Sequence, residues 1–142
     1  MPAPIYLFTG PELGERNEAV VAVKSAMKKK FGEIDEYLYY ASETSFSEVM
    51  TTLQSESLFV PASCVVLRGA ELLKGKEDVA LLTRWAESVT GDSNVLILVS
   101  DEISIDAKVA KPVPPKNKQV FWEMFENRKS EWLKKFFKKE GY

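Results

Sequence analysis

The chain contains no histidine. That excludes Ser-His-Asp triads, Cys-His pairs and histidine-based metal sites. Its one cysteine, Cys64, rules out an intrachain disulfide and fits a reducing cytosol. No apolar run reaches the roughly 18 residues needed to span a bilayer. The N-terminus lacks the basic region and long apolar stretch of a secretory signal. A net charge of -2 gives no bulk attraction to nucleic acid or an anionic membrane. The expectation is a cytoplasmic chain without membrane contact.

What remains is ordinary globular material. Hydrophobic residues make up 45% and charged residues 28%, which argues against disorder. A chain of 142 residues fits one domain. At this size roughly 68–70% of the unfolded surface is buried, enough for a core.

Apolar runs and helical spacings alternate along the chain. Ile5 to Thr9 reads as a buried strand ending at Gly10-Pro11. Glu12 to about Lys30 reads as a helix, with Leu13, Val20, Val23 and Met27 recurring at helical spacing and Arg16 out of pattern. Glu12 and Glu15 lie early and Lys28, Lys29 and Lys30 late, which suits the helix dipole, and Gly32 stops it. Tyr37 to Ala41 reads as a second strand. Ser45 and Glu48 form a capping box for a helix carrying Phe46, Val49, Met50 and Leu53 on one face. Ser63 to Leu67 is a third strand, followed by a helix from Glu77 to about Val89 with Leu81, Leu82, Trp85 and Val89 inward. Val95 to Val99 is a fourth strand and the most apolar stretch. Pro112, Pro114 and Pro115 force an irregular segment between Ser104 and Lys118. Gln119 to Met124 reads as a last strand, and Glu126 to about Lys139 as a terminal helix striped by Trp132, Leu133, Phe136 and Phe137. Strands alternating with helices, the central ones apolar on both faces, give an α/β fold. It is expected as a five-stranded parallel sheet with helices on both faces.

Few residues carry chemistry. The first strand-turn-helix is where such folds place a phosphate loop. Here it reads Gly10-Pro11-Glu12-Leu13-Gly14-Glu15-Arg16-Asn17. The glycines are one residue too close, the lysine and the Ser/Thr are missing, and Glu12 and Glu15 stand where phosphate oxygens would sit. The loop reads as vestigial. Asp101-Glu102 imitates a magnesium-binding strand end, but magnesium acids belong after the strand beside the first one. In the usual order that is the third strand, where Arg68 and a later Glu71 make a poor site. Asp101 and Glu102 therefore read as a polar exit from a buried strand. Cys64 reads as a core thiol. The lysines Lys24, Lys28, Lys29, Lys30, Lys134, Lys135, Lys138 and Lys139 read as solvated helix faces.

The sharpest feature is Gln54-Ser55-Glu56-Ser57-Leu58-Phe59-Val60-Pro61. If the preceding helix continues at 100° per residue, Leu58 and Phe59 each fall roughly 130° from the apolar stripe, on opposite sides. They would then form an exposed docking pair. If the helix has already ended, they tuck under the sheet. Geometry alone leaves both readings open.

The order and spacing of several segments resemble one family across nearly the whole chain. These are Tyr6-Leu7-Phe8-Thr9-Gly10, Ser57-Leu58-Phe59, Cys64 through Leu73, Val95 through Val99, Val120-Phe121-Trp122-Glu123 and Trp132-Leu133. The family is the N-terminal AAA+-type domain of the delta subunit of the bacterial DNA polymerase III clamp loader. The resemblance implies a degenerate AAA+, P-loop NTPase-like domain that makes and breaks no bond, within a holoenzyme that is a DNA-directed DNA polymerase. It implies a role in DNA replication, binding the sliding clamp (the beta subunit) and helping to open the ring. The clamp contact maps onto Leu58 and Phe59, with Gln54, Ser55, Glu56 and Ser57 as lesser candidates. Gly10 and Gly14 would be relics of the phosphate loop, with no metal and no cofactor. Further partners would be other clamp-loader subunits, with DNA met only indirectly. Residues 1–142 would be the first AAA+-like domain alone, a fragment without the family's lid and collar. The proline content of 106–118 departs from the family, which often has a helix there. The alternatives are an active nucleotide-binding ATPase or kinase-like domain using Asp101 and Glu102, and a generic AAA+ interaction module with another partner.

Overall fold

In the computed structural model, which describes residues 4–54, 61–73, 75–89, 91 and 93–121, the first apolar run forms β1 (Ile5–Thr9). The chain continues through α1 (Leu13–Phe31), β2 (Ile34–Tyr40), α2 (Phe46–Gln54), β3 (Ala62–Arg68), α3 (Lys76–Ser88), β4 (Asn94–Ser100), a short α4 (Ala107–Ala110) and β5 (Lys118–Val120). All five strands are parallel, in the order β2-β3-β4-β1-β5. This is the α/β architecture expected from the alternation of elements.

Burial explains the order. β4 holds Val95 to Ser100 in an unbroken buried run, and β3 does the same from Ala62 to Leu67. Strands apolar on both faces must lie inside a sheet covered on both sides. β4 accordingly sits at the centre, between β3 and β1. This corrects one expectation: the strand beside β1 is β4, not β3. The ends of β4 and β1 therefore meet, and Asp101 and Glu102 emerge beside the first turn.

α1 covers one face, where Val20 and Met27 pack with Phe8, Cys64, Val66 and Ile97. α2, α3 and α4 cover the other, where Phe46, Val49, Met50 and Leu53 join Leu82, Trp85, Leu96 and Leu98. The stripe read from the sequence of α2 is thus its buried face. α1 stops at Gly32, whose φ of +89° and amide bond to the Lys28 carbonyl (2.8 Å) make the cap.

Two boundaries differ from expectation. β2 starts at Ile34, three residues before Tyr37, because pairing with β3 along its whole length decides its extent. Its exposed edge shows no clean burial alternation to read. The proline-rich segment is irregular but contains α4, capped by the Asp106 carboxylate accepting from the Lys108 amide (2.9 Å). It drives Val109 and Val113 into the core, each 1% exposed. The expected last strand is present as Lys118–Val120. Phe121 follows outside the strand, and the rest of the expected run, the terminal helix, Trp122 and Trp132 lie outside the described residues. Among the described residues no helix is long and apolar enough to cross a membrane.

Candidate functional site

The turn between β1 and α1 is held from both sides. Gly10 takes a φ of +107°, and a Cβ there would run into the Phe121 carbonyl. Only glycine meets both conditions. The Gly10 amide donates to the Glu102 carbonyl (2.7 Å), the Glu12 amide to the Phe121 carbonyl (3.2 Å) and the Phe121 amide to the Thr9 carbonyl (2.6 Å). The Thr9 hydroxyl donates to the Ile103 carbonyl (2.8 Å). The exits of β4 and β5 thereby fix the turn.

Helix N-termini attract anions because their first amides lack partners. Here the chain supplies its own anion. Glu12 caps α1, its Oε1 accepting from the Gly14 amide at 3.0 Å. Its Oε2 is buried without a hydrogen-bond partner among the described residues. Glu15 adds a second carboxylate to the first turn.

Arg16 is the residue that sequence reading undervalued. It is 1% exposed. It turns under the helix, its Nη1 donating to the Gly10 carbonyl (2.7 Å) and the Ser100 carbonyl (2.9 Å) and pairing with Asp101 Oδ1 at 2.7 Å. One guanidinium thus ties the end of β1 to the end of β4. The signal was available in its spacing. Arg16, Val20, Val23 and Met27 recur at intervals of four, three and four, so position 16 faces inward. Beside it Ser100 Oγ donates to Glu71 Oε2 (2.6 Å) and accepts from the Glu102 amide (3.0 Å).

The chemical consequences are direct. A phosphate at this turn needs free amides, a cation and little nearby negative charge. The Gly14 amide is taken by Glu12, and the cation faces inward onto two carbonyls and Asp101. Gly10 and Gly14 are both in the turn, but Gly10 serves the contact with Phe121 and Gly14 the contact with Glu12. Asp101 has one oxygen committed to Arg16 although its side chain is 78% exposed. Among the described residues no cluster of acidic or cysteine side chains has the arrangement of a metal site.

The other sequence-predicted site begins where α2 ends. Gln54, its last residue, is exposed. Ser55, Glu56, Ser57, Leu58 and Phe59 lie outside the described residues. Cys64 is fully buried in β3, and burial pushes its thiol up to about 11, as befits a core group. Lys24 and Lys28 do more than face solvent: they reach Glu36 on β2 at 3.1 and 3.3 Å.

No family model matches the sequence. No curated protein matches it either. Among solved structures the chain is similar to the Bacillus subtilis DNA clamp loader delta protein (YqeN), at 15% identity and a TM-score of 0.67. The match covers 98% of this chain and 44% of that one, so the chain spans less than half the length of that protein. What the two share is the fold.

Proposed function

We propose that this chain is a non-catalytic clamp-loader domain that binds a sliding clamp through Leu58 and Phe59 and favours its open form. The observation that carries the reading is the β1–α1 turn. In a fold similar to that of a clamp loader delta protein, Glu12 occupies the helix N-terminus and Arg16 is turned inward. Such a turn suits a scaffold better than a nucleotide site. The docking pair follows α2, whose apolar stripe is spent on the core. Residues 1–142 act as the first domain of a larger loader subunit, and other loader subunits and DNA are reached through the parts beyond it. The site of action is the cytoplasm.

The mechanism is differential binding. A wedge that engages the open ring better than the closed one shifts the population toward open without any bond being made.

The test is direct binding of the chain to the sliding clamp of its own organism, beside the Leu58→Ala/Phe59→Ala variant. Burial of each side chain contributes about 1.5–3 kcal/mol. Losing both should weaken binding by roughly a hundredfold or more, with the circular dichroism spectrum and Tm retained. A wild type that does not bind, or a variant that loses its fold, overturns the reading.

A further inference from the structure

β2 ends the sheet on one side, and among the described residues only β3 pairs with it. Its seven residues, Ile34–Tyr40, include no proline, glycine or lysine. Those are residues with which edge strands ordinarily discourage pairing. Leu38 and Tyr40 are 53% and 44% exposed on the α1 face, and Tyr37 is 37% exposed on the other. Tyr37 and Tyr39 stack with ring planes 1° apart and centroids at 6.4 Å, which makes an ordered aromatic surface beside the strand's outer edge. Of the strand's two carboxylates, Glu36 is held by Lys24 and Lys28, so its charge repels an incoming strand less.

We propose that the edge of β2 facing away from β3, unpaired among the described residues, pairs antiparallel with β2 of a second copy of this chain, making one continuous sheet through both. A two-fold axis normal to the sheet keeps the α1 faces of both copies on the same side. Residues of equal parity then oppose one another. The register centred on Tyr37 uses all seven residues. Tyr37 meets its own counterpart, Leu38 meets Glu36, Tyr39 meets Asp35 and Tyr40 meets Ile34. No carboxylate directly faces another. Centring on Glu36 would set two glutamates face to face, which destabilises a pair. Centring on Leu38 would give up two of the seven pairings. Charge and overlap together select the Tyr37-centred register.

The experiment uses the full chain. Sedimentation equilibrium should show the wild type shifting from monomer to dimer with rising concentration. Tyr37→Cys puts two thiols directly opposite, with Cβ atoms about 4.5–5.5 Å apart, close enough for a small adjustment to form a disulfide. Leu38→Cys puts them on the diagonal at about 7–8 Å, beyond that reach. Mild oxidation, with free thiols alkylated before denaturation to silence Cys64, should trap the first as a covalent dimer and not the second. Tyr37→Lys should abolish the dimer by opposing two like charges. Leu38→Lys should keep it, because the new amine faces the partner's Glu36. Both lysine variants should retain the wild-type circular dichroism spectrum, since both positions are exposed. A wild type that stays monomeric, or equal trapping at the two cysteine positions, overturns the proposal.

Discussion

Replacing Arg16 with methionine tests the idea that one buried guanidinium holds the β1 and β4 ends together. The change keeps an unbranched side chain of similar length and removes every donor. The carbonyls of Gly10 and Ser100, both in buried residues, lose their partner. Each buried acceptor left unsatisfied costs about 1–3 kcal/mol. The third partner behaves differently. Asp101 is 78% exposed and returns to water, so the ion pair contributes under about 1 kcal/mol. Part of the loss is offset, because the native guanidinium is desolvated and its Nε has no partner among the described residues. The net expectation for Arg16→Met is a loss of about 2–4 kcal/mol, or roughly 10 °C in Tm for a chain of this size. Asp101→Asn should cost less than about 1 kcal/mol. Urea unfolding followed by circular dichroism and tryptophan fluorescence measures both, with unchanged m-values licensing the comparison. Equal losses in the two variants would refute the reasoning, because they would make Asp101 the anchor. So would an Arg16→Met variant within about 1 kcal/mol of wild type, because the carbonyl contacts would then be worth nothing net.

Gly10→Ala should destabilise by about 2–4 kcal/mol through its positive φ and its collision with Phe121. Gly91→Ala, with φ +76° and open space around its Cβ, should cost only about 1–2 kcal/mol by the same denaturant assay. Cys64 should resist thiol reagents at pH 8 in the native state and react at the rate of unfolding, since the group is fully buried and its pKa stands at about 11. The Lys24 ammonium, with Lys28 beside it, holds the Glu36 carboxyl below its usual range. Its stabilisation is therefore present above the unfolded carboxylate pKa and disappears as pH falls through the lower folded value. Glu36→Gln should cost a few tenths of a kcal/mol near neutrality, because the pair is substantially exposed. That difference should vanish in acid titrations of stability.

The sequence by itself determined the architecture. Val95 to Val99 and Cys64 to Leu67 are apolar at every position, and only an inner strand of a covered sheet can bury both faces. The stripe of α2, the cap at Gly32 and the core placement of Trp85 and Cys64 were equally local properties, each set by spacing or backbone freedom. The character of the first turn was half legible. Missing phosphate-loop residues marked it as degenerate, and the spacing of Arg16 with Val20, Val23 and Met27 turns it inward, but nothing local named the carbonyls and the carboxylate it would meet. Tertiary structure decided what depends on distant neighbours. Strand order set β4 beside β1 and so brought Ser100 and Asp101 over Arg16, 84 and 85 positions earlier in the chain. It also extended β2 back to Ile34, because pairing with β3, and not a burial pattern of its own, holds that edge in register. A strand's neighbours are chosen by the burial of the whole sheet, and no window of adjacent residues contains that information.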